Sequence, residues 1–352
     1  MMEKRLIKYF LSIGTVLLML IGLGAFSNTA KADDTKSSTS STDTLNVFRL
    51  YNPNTGEHFY TTGMFERNSL IAEGWNNEGV GWGSPTTGDA VYRLYNPNAK
   101  GGDHYYTVSS FEKDSLLKKG WRYEGIGWYS GGDIDVYVAY NPNAQSGAHN
   151  YTIGSTEQNY LLDNGWKYGS TAWKSVSAKV VYATVNYAFD ISNINAVTGF
   201  SDNVFVAKVI REEGTYQSKV TEEPYTTYRL KVVKKIKGEL SLNKPVKIYK
   251  NGGIMEDGTM YVFEDDVTLS NGNYYIFTTS NQGVSDPSEL PFLTLPDGSL
   301  LSTSGGMIPL GKDEAEALKS NKVAEFTAAL KTPEQADRER SSFKDSEVYL
   351  SE

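Results

Sequence analysis

The three histidines of the chain, His58, His104 and His149, occupy equivalent places in a repeated pattern. Each is followed by a Gly-Trp pair, at Gly74-Trp75, Gly120-Trp121 and Gly165-Trp166. A second tryptophan stands seven residues after each of these, at Trp82, Trp128 and Trp173. Two chemistries suit these residue types. Three imidazoles on one axis could hold zinc with an open fourth position. Alternatively, each ring follows a turn and bonds local backbone, which fixes a hairpin, and the position of each His near a strand start favours this reading. The second chemistry is sugar binding. Aromatic faces stack on pyranose rings while carboxylates or amides bond the hydroxyls. His58, Tyr60, Trp75 and Glu78 would make one shallow pocket. His104, Tyr106, Trp121 and Glu124 would make its copy, and His149, Tyr151 and Trp166 a third, reduced one. Core and inter-repeat packing competes for the same rings, and most tryptophans are expected to pack. No metal or cofactor is assigned.

Catalytic signatures are missing from the sequence. It has no G-x-S-x-G elbow, no H-E-x-x-H, no P-loop and no cysteine nucleophile. The run Glu264-Asp265-Asp266 reads as a solvated loop. Lys231, Lys234, Lys235 and Lys237 read as a solvated strand face or as a contact to anionic wall polymers.

The elements that position the aromatics follow from the repeat. Asn-Pro-Asn recurs at 52–54, 96–98 and 141–143. Thr61, Thr107 and Thr152 recur, as do Glu66, Glu112 and Glu157, and Leu70, Leu116 and Leu161. In the first unit, 47–51 reads as a strand, Asn-Pro-Asn as a turn and 58–62 as a returning strand. A short helix over 65–74 closes at Gly74, and 80–82 forms a third strand. A unit of this size cannot bury its own apolar face. Three alike units, with no polar caps at the ends, favour closure around a pseudo-threefold axis over an open solenoid. The expected architecture is mainly β, a β-trefoil-like repeat domain with short helices. A small propeller-like array is the alternative.

The stretch from Phe48 to Thr62, FRLYNPNTGEHFYTT, with Glu66, Leu70, Gly74-Trp75 and Glu78-Gly79, resembles the repeat family known as domain of unknown function 5648. The resemblance covers about 45–174, in units of about 45–84, 89–130 and 134–174. It implies an extracellular adhesive or glycan-associated module without an established ligand. The third unit departs from the pattern twice. Gly169 stands where the others have Glu78 and Glu124, and Asn150 where they have Phe59 and Tyr105. Ligand contacts at those positions would be weakened there.

Ser175–Lys179 reads as a hinge to a different domain, 180–352. Alternating stretches at 204–210, 226–236, 246–249 and 274–278 read as short strands separated by Gly-, Asn- and Asp-rich turns. Their order, DNVFVAKV, TTYRLKVVKKIKGEL, VKIYKNGG, NYYIF, resembles the OB-fold domain of netrin- and tissue-inhibitor-like proteins. That resemblance implies an OB-like small β-barrel with a C-terminal helix, which the sequence places at 313–331. A charged tail follows from 334.

At the other end, residues 1–32 read as a signal peptide. Lys4, Arg5 and Lys8 precede an apolar stretch, and Ala30-Lys31-Ala32 offers a cleavage site. An uncleaved anchor is the rival reading. Residues 33–44 read as a flexible linker. The full chain of 352 residues carries a net charge of −8 and no cysteine. Removing the signal takes four basic residues and one acidic one and leaves −11. That balance argues against nucleic-acid binding, and the lack of cysteine excludes a disulfide framework. The expectation is a secreted, Gram-positive, non-enzymatic protein of the cell surface with no membrane attachment after cleavage. Its repeats would hold a cell-wall or host glycan. A protein-binding or inhibitor-like role of the OB-like domain is the first alternative, and an unrecognised wall hydrolase the second.

Overall fold

The computed structural model describes residues 44–183, 189–263, 267–283, 295–296 and 299–334. The signal segment, the linker up to residue 43, the acidic run at 264–266 and the tail beyond 334 lie outside the described residues.

Each repeat is a strand, a turn, a short returning strand, a helix and a longer strand. The first unit holds β1 (Thr44–Tyr51), β2 (His58–Thr61), α1 (Met64–Ala72) and β3 (Asn76–Pro85). The second holds β4 (Asp89–Tyr95), β5 (His104–Thr107), α2 (Ser110–Lys118) and β6 (Arg122–Ser130). The third holds β7 (Ile134–Tyr140), β8 (His149–Thr152), α3 (Ser155–Asp163) and β9 (Lys167–Ser175). In every unit the first strand is central, flanked antiparallel by the other two. The Asn-Pro-Asn turn forms because the first Asn side chain accepts from the backbone N–H two residues on, at 2.9, 3.1 and 3.0 Å in the three units. The helices stop where Gly74, Gly120 and Gly165 take positive φ. The N–H of the following Trp then returns to the carbonyl of Leu70, Leu116 or Leu161, a Schellman closure.

The units share one core. Val47, Tyr60 and Trp82 meet their counterparts Val91, Tyr106, Trp128 and Val136, Tyr151, Trp173. The indole centroids form a triangle with sides of 5.7, 6.0 and 5.8 Å. The phenol centroids form a second triangle, with sides of 5.7, 5.6 and 5.6 Å at nearly right angles. These edge-to-face geometries suit the ring quadrupoles. The hydroxyls close the ring. Tyr60 Oη donates to the Tyr151 carbonyl and accepts from its N–H, both at 2.9 Å. Tyr106 Oη does the same to Tyr60, and Tyr151 Oη to Tyr106. A single unit would leave these hydroxyls and backbone groups buried without partners, so three units close together or not at all.

The remainder is led in by β10 (Val180–Ala183) and α4 (Ile194–Phe200), followed by β11 (Asn203–Gln217), β12 (Pro224–Lys237) and β13 (Pro245–Asn251). Next come β14 (Gly253–Ile254), β15 (Met260–Phe263), β16 (Tyr274–Asn281) and β17 (Leu300–Gly311). A closed barrel runs β11-β12-β13-β17-β16. All its described pairs are antiparallel except β13 with β17. Phe205, Ala207, Leu230, Val232, Val246, Ile248 and Phe277 fill its interior. The helix expected over 313–331 is two helices, α5 (Glu314–Lys319) and α6 (Asn321–Ala329). Ser320 divides them at ψ 139°, where its side chain caps α6 by accepting from the Lys322 N–H.

The expected hinge at 175–179 is clamped. Val176 pairs with Gly83, and Asn46 bonds both the N–H and the carbonyl of Lys179. The first unit docks on the barrel through an apolar cluster in which Phe48, Leu50 and Ile71 meet Ile254 and Met260. Arg67 meets Glu212 at 2.9 Å, both nearly inaccessible, and Asn77 donates to the same carboxylate at 3.1 Å. Among the described residues no helix is long and apolar enough to cross a membrane.

Candidate functional site

The polar residues of the repeat gather at the seams between units, and each seam draws on two units. At the first seam, Arg93 on β4 bridges Glu66 on α1 at 2.8 Å and Glu124 on β6 at 3.2 Å. Its guanidinium lies 5.2 Å from the centre of the Phe59 ring. His104 sits edge-on to Phe59 at 4.7 Å. The His104 ring and backbone N–H both bond Glu57, at 2.7 and 2.9 Å. At the closing seam, Arg49 on β1 bridges Glu157 on α3 at 2.8 Å and Glu78 on β3 at 2.6 Å. His58 stands 3.4 Å from Glu78. Burial alone would raise the Glu78 carboxyl, but His58 and Arg49 outweigh it and hold it below the usual carboxylate range. Glu157 is lowered likewise, with Arg49 overcoming burial.

The second seam lacks that charge. Val138 stands where the others have Arg49 and Arg93, and Gly169 where they have Glu78 and Glu124. Glu112 turns back to the hydroxyl of Tyr105 at 3.2 Å and to that of Thr107 at 2.5 Å. His149 packs on Tyr105 at 4.8 Å and on Tyr140 at 5.1 Å. Its Nδ1 has no hydrogen-bond partner, and burial lowers its pKa to about 4. Asp103 holds the place of Glu57 and accepts from the Ala148 N–H at 3.2 Å. Burial raises its carboxyl to about 6 against that bond, and nearby Glu57 adds to the rise.

The expected site residues therefore separate into three groups. Tyr60, Tyr106 and Tyr151 are core residues with at most 1% exposure. They cannot stack on a surface ligand, because their hydroxyls are committed to the closure ring. Trp75, Trp121 and Trp166 are half-buried at the helix ends, and Trp75 packs in the cluster that docks the barrel. His58, His104, His149, Glu78 and Glu124 do reach the seams. The three histidines belong to three different seams, and among the described residues no group of three or more His, Asp or Glu side chains is placed to hold a metal ion. The departures of the third unit also divide, because seams are composite. Gly169 alters the second seam, whereas Asn150 lies in the closing one, donating to Glu157 at 3.3 Å.

A cavity of about 560 Å³ opens at the closing seam. Arg49, Asn77 and Glu78 of the first unit, Thr152 of the third, and Thr268 and Ser270 of the barrel region line it. Sequence reasoning missed the arginines. Their signal was the Arg-Leu-Tyr-Asn-Pro-Asn string present in two units and absent from the third. Phe65 and Phe111, equivalent apolar residues of the first two helices, are 87% and 79% exposed.

Residues 46–176 match the family model described as Domain of unknown function (DUF5648), so the repeat region is a member of that family. No curated protein and no solved structure matches the chain.

Proposed function

We propose that this is an exported, non-enzymatic surface-binding protein whose repeat module holds a carbohydrate at the closing seam. The observation that carries the reading is the lining of the seam cavity. Arg49, Glu78, Asn76, Asn77, Thr152, Thr268 and Ser270 line it together, so a guanidinium, a carboxylate, amides and hydroxyls stand around one cavity. Such a set pairs with a polyhydroxylated ligand, since each sugar hydroxyl both donates and accepts. His58 acts on this cavity through Glu78, 3.4 Å away. Separate three-stranded sheets about one axis favour the propeller-like reading of the module over the trefoil-like one. The barrel order, with its third and fifth strands parallel, supports an OB-type second module. The signal-like segment supports secretion, and the lack of cysteine a Gram-positive source.

The test is binding of the full chain to cell-wall and host glycan fragments by calorimetry and glycan array. Wild type is expected to bind a neutral oligosaccharide. Thr268→Val with Ser270→Ala, two lining residues outside the buried contacts, is expected to weaken binding at least tenfold without changing the melting temperature by more than a few degrees. Absence of any glycan binding by the wild type would remove the reading.

A further inference from the structure

The lysine strip marked in the sequence does not stay together. Lys237 turns in to the carbonyls of Thr198 and Ser201, at 2.7 and 2.6 Å. Lys235 stands near Glu239. A different cationic cluster forms across strands. In the ladders Lys208 lies opposite Lys231, Arg211 opposite Arg229, and Arg229 opposite Lys247. Leu230, Val246 and Ile248, which alternate with these positions, point into the barrel, so the cations occupy its outer face. Towards one end that face is covered, since Val204, Val206 and Ile276 lie under Val323 and Phe326 of α6. Beyond the helix the same face continues as the five cations.

One carboxylate answers three of them. Glu213 meets Arg229 at 2.7 Å, Arg211 at 3.3 Å and Lys247 at 3.4 Å. Among the described residues Lys208 and Lys231 form no ion pair; Lys208 lies 5.6 Å from the centre of the Tyr274 ring. Like charges directly opposite on neighbouring strands destabilise a sheet. Glu213 offsets two of these pairs; the Lys208–Lys231 pair beside them has no carboxylate among the described residues, a cost that an anionic partner would offset.

We propose that this outer face of β11, β12 and β13 binds an anionic polymer of phosphodiester-linked polyol units. The arginines offer forked donors suited to phosphate oxygens, and the lysines extend the row. The partner's charge density decides its class. A nucleic-acid duplex carries one charge per about 1.7 Å of axis and would press on the acidic remainder of the chain. A polymer with one phosphate per polyol unit meets the cluster alone. The inference takes from the proposed function only the place where such a polymer is met; its chemistry stands on the cations.

The full chain is titrated with poly(glycerol phosphate) at 50 and 200 mM NaCl. Binding is expected at the lower salt and a fall of about 50-fold at the higher, the value for four phosphate contacts on a flexible strand. Lys208→Gln with Lys231→Gln is expected to weaken binding at least tenfold, and Lys319→Gln with Lys322→Gln, a charge-matched change on α5 and α6, to leave it unaltered. No binding at 50 mM, or binding indifferent to the double variant, overturns the proposal. So does equal affinity for a single-stranded oligonucleotide of the same charge, or retention only by phosphatidylglycerol vesicles. Neutral glycans are run in parallel. Their failure to bind removes the seam-cavity reading and leaves the polymer result standing, and the reverse holds too.

Discussion

The first and closing seams carry a cation between two carboxylates; the second seam, built on the same backbone plan, has an aliphatic side chain and a glycine instead. Around the axis the three units are interchangeable. At the rim they are not. The difference teaches where the repeat is constrained by folding and where it is open to function. A phenol hydroxyl inserted into its neighbour's backbone must recur three times, because one omission leaves buried groups unpaired. A half-exposed ion pair is worth little, so a seam can lose its arginine and carboxylate without losing the fold. The closing seam, which kept both and also borders the barrel, opens into a cavity.

The sharpest way to break this contrast is to compare equivalent substitutions in the three units. Trp82→Ala, Trp128→Ala and Trp173→Ala should each cost roughly 3–5 kcal/mol, the range for a large buried aromatic, and should agree among themselves. Denaturant unfolding measures this, and one indifferent position would end the claim of an equivalent core.

The next effect depends on pH and isolates the second seam. His149 has its pKa depressed to about 4 from an unfolded value near 6.5. The unfolded chain therefore binds the proton first, and stability falls as pH drops from about 6.5 towards 4. Asp103, raised to about 6, acts in the opposite sense. Its contribution is complete below about 4 and is lost as pH rises through 6. Over the shared window the two offset each other. Asp103→Asn should unmask a loss of roughly 2–3 kcal/mol between pH 6.5 and 4.5. Glu78 and Glu157, held below the usual carboxylate range, add their losses mainly beneath that window. Unfolding curves of the variant that stay flat with pH would contradict the buried, unpartnered His149.

The smallest effect is the exchange of seam types. Arg93→Met should cost about 1–2 kcal/mol, since it leaves Glu66 and Glu124 facing each other at the rim. Val138→Arg, which offers Glu112 the missing cation, should stay within about 1 kcal/mol of wild type. A Val138→Arg penalty larger than that of Arg93→Met would show that the second seam needs its apolar character.

Much of this was legible in the residues. Asn-Pro-Asn, Gly-Trp and the seven-residue step to a second Trp marked three alike units, and the helix in each followed from Leu70 and Gly74 and their copies. What misled was the tyrosine. Tyr60 alternates with Phe59 along one strand, and nothing in a linear pattern says which of two aromatic neighbours faces the axis. Period-two alternation gives two faces, and only the docking of the other units decides which is inside. The arginines were overlooked because each pairs with a carboxylate from the preceding unit, 27 residues earlier for Glu66 and Arg93 and 108 residues later for Arg49 and Glu157.

The sequence by itself determined the repeat, its turns, its caps and the mainly β character, because these depend on φ preferences and on contacts within a few residues. Only the tertiary structure decided that sites are shared between units, that the supposed hinge is clamped, and that five cations line up on the barrel. Those outcomes depend on strand register and ring closure, which bring together residues whose separation along the chain carries no local signal.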